Sequence, residues 1–73
     1  MKDYSKGFRR GYGQLRLADR EEARKKIMAA LGIKAISHFY LYKNGGRPNI
    51  SAASAQAVEQ VFSEYGITDV WGA

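Results

Sequence analysis

The sequence predicts an all-α fold, a compact helix-turn-helix bundle of about four short helices. Two helical segments, one ending at Leu31 and one over residues 35–44, meet at Gly32-Ile33, which is typical of two helices joined by a tight turn. Another segment, which follows Ser51, repeats apolar residues with helical spacing. At 73 residues the chain is expected to form one domain over residues 1–73.

Composition excludes several kinds of site. The chain has no cysteine and one histidine, His38, so disulfides, thiolate zinc sites and cysteine nucleophiles are excluded, and we expect no metal and no cofactor. No apolar run approaches the ~20 residues that cross a bilayer. Residues 1–3 begin no signal-peptide pattern, so the prediction is a soluble, cytoplasmic protein with no membrane partner.

Charge is unevenly distributed along the chain. All twelve Lys and Arg residues lie at or before Arg47, together with four acidic residues, so residues 1–47 carry a net charge of +8. The remainder has three acidic residues and no basic one, which gives −3. Such polarity places a positive field over one part of the fold and is typical of nucleic-acid binding, although a solvated basic face would give the same composition.

Residues 1–18 are predicted to form an N-terminal arm or a short helix. Three aromatic residues repeat every four positions, as on one face of a helix capped by Asp3, whereas three glycines oppose a helix. The aromatic residues are Tyr4, Phe8 and Tyr12, and the glycines are Gly7, Gly11 and Gly13. As a helix or as a flexible arm, this segment presents Arg9 and Arg10 to phosphates. Residues 14–17 are predicted to form an extended connector whose two leucines point inward. This connector could pair with the C-terminal tail.

The next helix is predicted to begin at Asp19, which with Glu22 three residues later forms a capping box. Glu21 and Glu22 each precede a lysine by four residues, which favours ion pairs with Lys25 and Lys26. Four residues are predicted to share the inner face: Ala23, Ile27, Ala30 and Leu31. Gly32 is predicted to end the helix in the left-handed conformation.

Residues 35–44 are predicted to form a short helix that presents polar and apolar groups outward. Its inner face is predicted to comprise Ile36, Phe39, Tyr40 and the stem of Lys43. Its outer face is predicted to comprise Ala35, Ser37, His38, Leu41 and Tyr42. Hydroxyl and imidazole groups can read base edges, and Leu41 or Ala35 can contact a thymine methyl. The alternative is a face rotated by one position, with Leu41 or Tyr42 in the core.

A turn at residues 44–48 ends this helix, because glycine accepts positive φ and Pro48 prevents continuation. Lys43 and Arg47 flank the turn and could hold a phosphate. Ser51 is predicted to cap a final helix over residues 52–65, which Gly66-Ile67 ends. Its predicted buried residues are Ala55, Val58, Val61, Phe62 and Tyr65, and its neutral to acidic outer residues are Gln56, Glu59, Gln60 and Ser63.

The single tryptophan, Trp71, is predicted to fold over the core, with a dimer contact as the alternative. Aromatic residues are enriched at protein interfaces, and Trp71 follows a helix whose outer face carries no basic residue. These two features would suit a protein partner.

Several short motifs follow one another in a characteristic order over residues 20–71. They are Ala30-Leu31-Gly32-Ile33, Phe39-Tyr40, Asn44-Gly45, Ala57-Val58-Glu59, Val61-Phe62 and Tyr65-Gly66-Ile67. In this order the chain resembles the small helix-turn-helix transcriptional regulators of bacterial phages and mobile elements. The resemblance implies that the helix after Gly32 enters the major groove, where Ser37, His38, Leu41 and Tyr42 read bases. It also implies phosphate contacts by Lys25, Lys26, Lys34, Lys43 and Arg47.

The leading hypothesis is therefore sequence-specific binding of double-stranded DNA by a small transcriptional regulator, as a homodimer or on adjacent sites. A second hypothesis is a protein-interaction adaptor that uses the acidic C-terminal helix and Trp71. A third is binding of single-stranded RNA or DNA, with Tyr40, Tyr42 and the N-terminal aromatic residues stacked on bases. An enzyme is not predicted, because no nucleophile has a base near it in the sequence pattern.

Overall fold

The computed structural model describes residues 4, 6–45 and 50–72 of the chain. Over these residues the fold is all-helical, with four helices and no strand, as predicted. The helices are α1 (Arg9–Gly13), α2 (Leu17–Leu31), α3 (Ile36–Asn44) and α4 (Ala52–Ser63). Asp3, Arg47 and residues 46–48 of the predicted turn lie outside the described residues. In the described part of the chain, no helix is both long and apolar enough to span a membrane.

The N-terminal helix is shorter than the aromatic spacing predicted. It begins at Arg9, so Tyr4 and Phe8 precede it rather than lie on it. Gly7 explains the early break, because its φ is +71° and a Cβ there would collide with the carbonyl oxygens of Tyr42 and Lys43. The chain turns at Gly7 against the end of α3, and the turn delivers the Phe8 ring to the core, where it is fully buried.

The predicted start of α2 is wrong by two residues. The helix begins at Leu17, Arg16 occupies the N-cap without a side-chain hydrogen bond, and Asp19 lies in the first turn. The capping box does not form: the Asp19 N–H donates to the carbonyl of Arg16, and the Glu22 carboxylate accepts from Tyr65. Because residue 17 is helical rather than extended, Leu17 points away from the core and is 81% exposed, whereas Leu15 is buried as predicted.

The end of α2 confirms the predicted corner. Gly32 adopts the left-handed conformation with φ 70°, and the Ile33 N–H donates to the Met28 carbonyl at 3.0 Å. Ala23 and Ile27 of α2 are fully buried, and α2 packs mainly against α4. Ala30, predicted to face inward, is exposed.

The final helix follows the prediction closely. The Ser51 hydroxyl accepts the Ser54 N–H at 3.1 Å, and the helix ends at Ser63, two residues early. Four of its predicted inner residues are buried and Tyr65 is half-buried; the four are Ala55, Val58, Val61 and Phe62. The N–H of Ile67 donates to the carbonyl of Phe62, which seats Ile67 in the core.

The tail after α4 folds back on α1. The backbone N–H groups of Arg10 and Gly11 donate to the carbonyls of Gly72 and Val70, each at 2.9 Å, and the Gly72 N–H donates to Gly7 at 3.0 Å. The Gln14 side chain also donates to the Asp69 carbonyl at 2.7 Å, so the connector does contact the tail.

Trp71 packs on the core, as predicted, with its ring centroid 6.2 Å from that of Phe8. Its indole N–H donates to the Glu59 carboxylate at 2.7 Å. The tail therefore joins α1 to α4.

Candidate nucleic-acid interface

Phe39 is the buried side chain that anchors α3, and Tyr42 packs partly against the core. Phe39 is fully buried, and its ring centroid lies 5.6 Å from that of Phe8 and 5.5 Å from that of Tyr12. By contrast, Ile36 and Leu41 are 48% and 43% exposed. The helix is thus held by one side and presents most of its surface to solvent.

The predicted faces of α3 are partly wrong, and the rotated alternative describes the observed packing better. Ile36 and Tyr40, predicted to face inward, are exposed, whereas Tyr42, predicted to face outward, is half-buried against the core. In an α-helix the residues three before and three after Phe39 lie about 60° to either side of it, so a short pattern does not reveal which side is covered. The remaining predicted outer residues are exposed: Ala35, Ser37, His38 and Leu41.

Cations and aromatic rings gather beside α3 around Tyr12. The Lys43 ammonium lies 5.1 Å from the Tyr12 ring centroid and 4.9 Å from that of Tyr40, and the Arg20 guanidinium lies 5.7 Å from the Tyr12 centroid. The Tyr12 hydroxyl donates to the Arg20 carbonyl at 3.4 Å. We call these residues and Arg24 the Tyr12 cluster, which comprises Tyr12, Arg20, Arg24, Tyr40 and Lys43.

The cations of the Tyr12 cluster lie close enough together to shift the pKa values of neighbouring groups. Burial, together with the positive charges of Arg9 and Arg20, lowers the pKa of Lys43. Burial raises the pKa of the Tyr12 hydroxyl, and the nearby charges of Arg24 and Arg20 oppose that shift. Among the described residues, no carboxylate lies within ion-pair distance of the cluster cations.

The other cations predicted to contact phosphates divide into two groups. Three of them are ion-paired: Arg10 with Asp69 at 3.3 Å, Lys25 with Glu21 at 3.7 Å, and Lys26 with Glu22 at 3.3 Å and with Glu64 at 3.0 Å. The two predicted pairs between Glu21 or Glu22 and the following lysines are therefore confirmed. Arg9 and Lys34 are exposed, at the start of α1 and just before α3, and Arg47 lies outside the described residues.

The pairs of Lys26 shift several pKa values. The hydrogen bonds that the Lys26 ammonium donates to the Glu64 and Glu22 carboxylates raise the pKa of Lys26. The Tyr65 hydroxyl, which donates to Glu22 at 2.7 Å, lowers the pKa of Glu22, and Lys26 lowers it further. The Lys26 ammonium therefore lies on the α4 side of the molecule, where it pairs with Glu64.

The three acidic residues of the C-terminal part all have partners within the fold. Glu59 accepts from Trp71, Glu64 pairs with Lys26, and Asp69 pairs with Arg10. These contacts join α4 to the tail and to α2, and the tail to α1. Trp71 is half-buried and its N–H is already bonded.

Arg20 and Arg24, which belong to the Tyr12 cluster, were not among the candidate site residues of the sequence analysis. Lys25 and Lys26 each follow a glutamate by four residues, whereas Arg24 follows Arg20 and Arg20 follows Arg16. Helix geometry therefore offers the two arginines no carboxylate four residues before them. This spacing agrees with the two ion pairs of Lys25 and Lys26, and among the described residues neither Arg20 nor Arg24 has a carboxylate partner.

Comparisons with protein-family models, curated proteins and solved structures found no match to this chain. No relative therefore indicates what the surface around α3 binds. Within the described part of the chain, no three His, Cys, Asp or Glu side chains are grouped so that they could hold a metal ion.

Proposed function

We propose that the chain binds double-stranded DNA through the outer face of α3 and acts as a small transcriptional regulator, which in a bacterium would work in the cytoplasm. One observation supports this most directly. The cations beside α3 lack carboxylate partners among the described residues, whereas those toward α4 and the tail are ion-paired. Unpaired cations are available to phosphates, which supply most of the affinity of proteins for DNA.

The exposed face of α3 carries groups suited to base edges. An α-helix fits the major groove of B-DNA, where each base pair presents a distinct set of donors, acceptors and methyl groups. The Ser37 hydroxyl and the His38 imidazole can exchange hydrogen bonds with bases, and Leu41 can contact a thymine methyl. Tyr40, rather than the half-buried Tyr42, adds an aromatic group to this face.

Phosphate contacts would flank the reading face. Lys34 precedes α3, Lys43 lies in its last turn, and Arg9 is close enough to Lys43 to lower the pKa of that ammonium. Contacts of this kind position a protein on the duplex without reading sequence. We leave Arg10, Lys25 and Lys26 out of this set because carboxylates of the fold already pair with them.

We propose that the chain binds DNA as a homodimer or as separate copies on adjacent DNA sites. A helix of nine residues reads only a few base pairs, which is too few to select one genomic site. The kinship with regulators of phages and mobile elements remains part of the proposal and rests on the motif order described above.

Selection of duplexes from a random pool tests the reading role of α3. We expect an enriched motif, and we expect affinity for it to fall steeply between about 50 and 200 mM salt. Ser37→Ala and His38→Ala should each reduce discrimination at one position by about 1–3 kcal/mol. Gln60→Ala, on the exposed side of α4, is the matched control and should leave the selected motif unchanged.

Three results would contradict the proposal. These are a pool without enrichment, an affinity that does not change with salt, and equal binding of a single strand of the same sequence. The last result would favour base stacking on exposed aromatic residues such as Tyr40.

A further inference from the structure

We propose that the Tyr12 cluster is a preformed site for the phosphate backbone of one DNA strand. This inference rests on the proposed function and adds Arg20 and Arg24 to the residues that would contact DNA. It also assigns a role to Tyr12, as the ring around which the cations are held.

The first observation is an excess of positive charge for which the described residues supply no carboxylate partner. Arg20 and Lys43 both lie near the Tyr12 ring, and the charge of Arg24 acts on the Tyr12 hydroxyl. Like charges brought together destabilise a fold, and contacts with aromatic faces offset only part of that cost. A bound anion would supply the missing negative charge.

The second observation is an unused donor. The Nε of Arg20 is buried and has no hydrogen-bond partner in the described structure. The end of the same guanidinium lies near the Tyr12 ring. A buried donor without a partner is costly, and guanidinium groups bind phosphate oxygens through two parallel hydrogen bonds. Because the fold covers the Nε itself, a phosphate would approach the terminal nitrogens of this half-buried side chain.

The third observation is that the side chains of the cluster have contacts within the fold that hold them in place without a ligand. The Tyr12 ring packs 5.5 Å from the buried Phe39 ring, and its hydroxyl is bonded to the Arg20 carbonyl. Lys43 lies over two rings, and Arg24 contacts the Met28 sulfur at 3.9 Å. Side chains held in this way lose little conformational entropy on binding.

The position of the cluster explains what such a site would do. Tyr12 belongs to α1, the two arginines to α2, and Tyr40 and Lys43 to α3. A phosphate held at this junction would fix how α3 lies on the duplex, because phosphate contacts set register and orientation. Losing the site should therefore weaken binding to all sequences alike, whereas changes at Ser37 or His38 should alter preference.

The test compares charge-matched variants by titration of labelled duplexes over a salt series. Arg24→Gln and Lys43→Gln should each weaken binding about tenfold on every duplex and lower the slope of log K against log salt by about 0.9. Lys26→Gln removes the same charge from the α4 side of α2 and should stay within about twofold of the original chain. Circular dichroism establishes that each variant is folded.

The outcomes separate this inference from the proposed function. If the original chain binds duplex but both cluster variants behave like Lys26→Gln, the cluster is not a phosphate site and the proposed function stands. If single strands bind as well as duplexes and the cluster variants still weaken binding, the phosphate site is supported and the double-stranded target is wrong. If neither form of DNA binds, both proposals fail.

Discussion

Two sides of the molecule differ in whether their basic side chains have carboxylate partners. One side surrounds the Tyr12 cluster, and the other is formed by α4 and the tail. On the tail side, Arg10 and Lys26 have carboxylate partners from distant parts of the chain, Asp69 and Glu64. In the Tyr12 cluster, no such partner is present among the described residues. Net charge alone would not separate these two sides, whereas the presence or absence of carboxylate partners among the described residues does.

Two half-buried aromatic residues illustrate the same contrast. Trp71 donates its N–H to the Glu59 carboxylate and so helps to hold the tail on α4. Tyr12 instead has two cations against its ring and donates its hydroxyl to a backbone carbonyl. Trp71 thus contacts a carboxylate at the tail, whereas Tyr12 contacts cations.

Gly7 contacts both sides, because it lies against the end of α3 and accepts a hydrogen bond from Gly72 of the tail. Its replacement should have the largest effect on stability. Gly7→Ala places a methyl group against the carbonyl oxygens of Tyr42 and Lys43 and within 2.6 Å of the Gly45 nitrogen. It also requires a residue with a side chain to adopt a φ of +71°. Backbone atoms cannot move aside easily, so we expect a loss of about 3 kcal/mol in the free energy of unfolding, measured in urea.

Gly13→Ala is the matched control for this prediction. A Cβ at Gly13 meets nothing within 4 Å, and its φ is not positive, so alanine should leave stability unchanged or raise it by up to about 1 kcal/mol. Equal stability of the two variants would show that Gly7 does not hold the N-terminal turn against α3.

Trp71→Phe tests the tail side alone. Removing the indole N–H leaves a half-buried carboxylate acceptor without this donor, and we expect a loss of about 1.5 kcal/mol in the free energy of unfolding. Tyr65→Phe removes an exposed donor to Glu22 and should cost less than about 1 kcal/mol. Both folded variants should bind duplex DNA like the original chain. A loss of DNA affinity in Trp71→Phe would place the tail in the interface and remove the contrast between the two sides.

Glu22 provides a smaller, pH-dependent test of the α4 side. Its pKa is lowered from the ordinary value of 4.5 by Tyr65 and Lys26, so its contribution to stability is present above that value and is lost as the pH falls through the folded-state pKa. The melting temperatures of the original chain and Glu22→Gln should differ at neutral pH and converge as the pH falls below about 4.5.

Glu21→Gln is the control, because Glu21 pairs only with the exposed Lys25 among the described residues, and it should change the melting temperature less. A difference between the original chain and Glu22→Gln that stays constant with pH would show that the carboxylate charge does not contribute.

Local patterns in the sequence predicted the elements that local physics determines. The corner at Gly32 and the cap at Ser51 depend on backbone conformation and on a hydrogen bond three residues away, and both were confirmed. The start of α2 was predicted too late because Asp19 and Glu22 fit a capping box, while tertiary contacts engage Glu22 with Tyr65 instead. The capping-box motif is present in the sequence, but its Glu22 side chain bonds a residue 43 positions away.

The parts of the site that could not be predicted depend on tertiary packing. The rotation of α3 depends on the rings that surround Phe39, which come from α1 and the residue before it. The pairing of Lys26 with Glu64 spans 38 residues, so the sequence could not show that Lys26 is occupied. Similarly, the three N-terminal glycines oppose a helix by propensity, but Gly7 and Gly11 are explained by close contact with α3 and the tail.

The hydrogen bond between Gly72 and Gly7 has a consequence for the order of folding. It connects residues near opposite ends of the described chain, so closing it carries a larger loop-closure entropy than the pairing of α2 with α4. We expect α2 and α4 to associate first and the tail to dock on α1 last. Until the tail docks, the Phe8 ring would have Phe39 and Phe62 as neighbours but would lack Trp71.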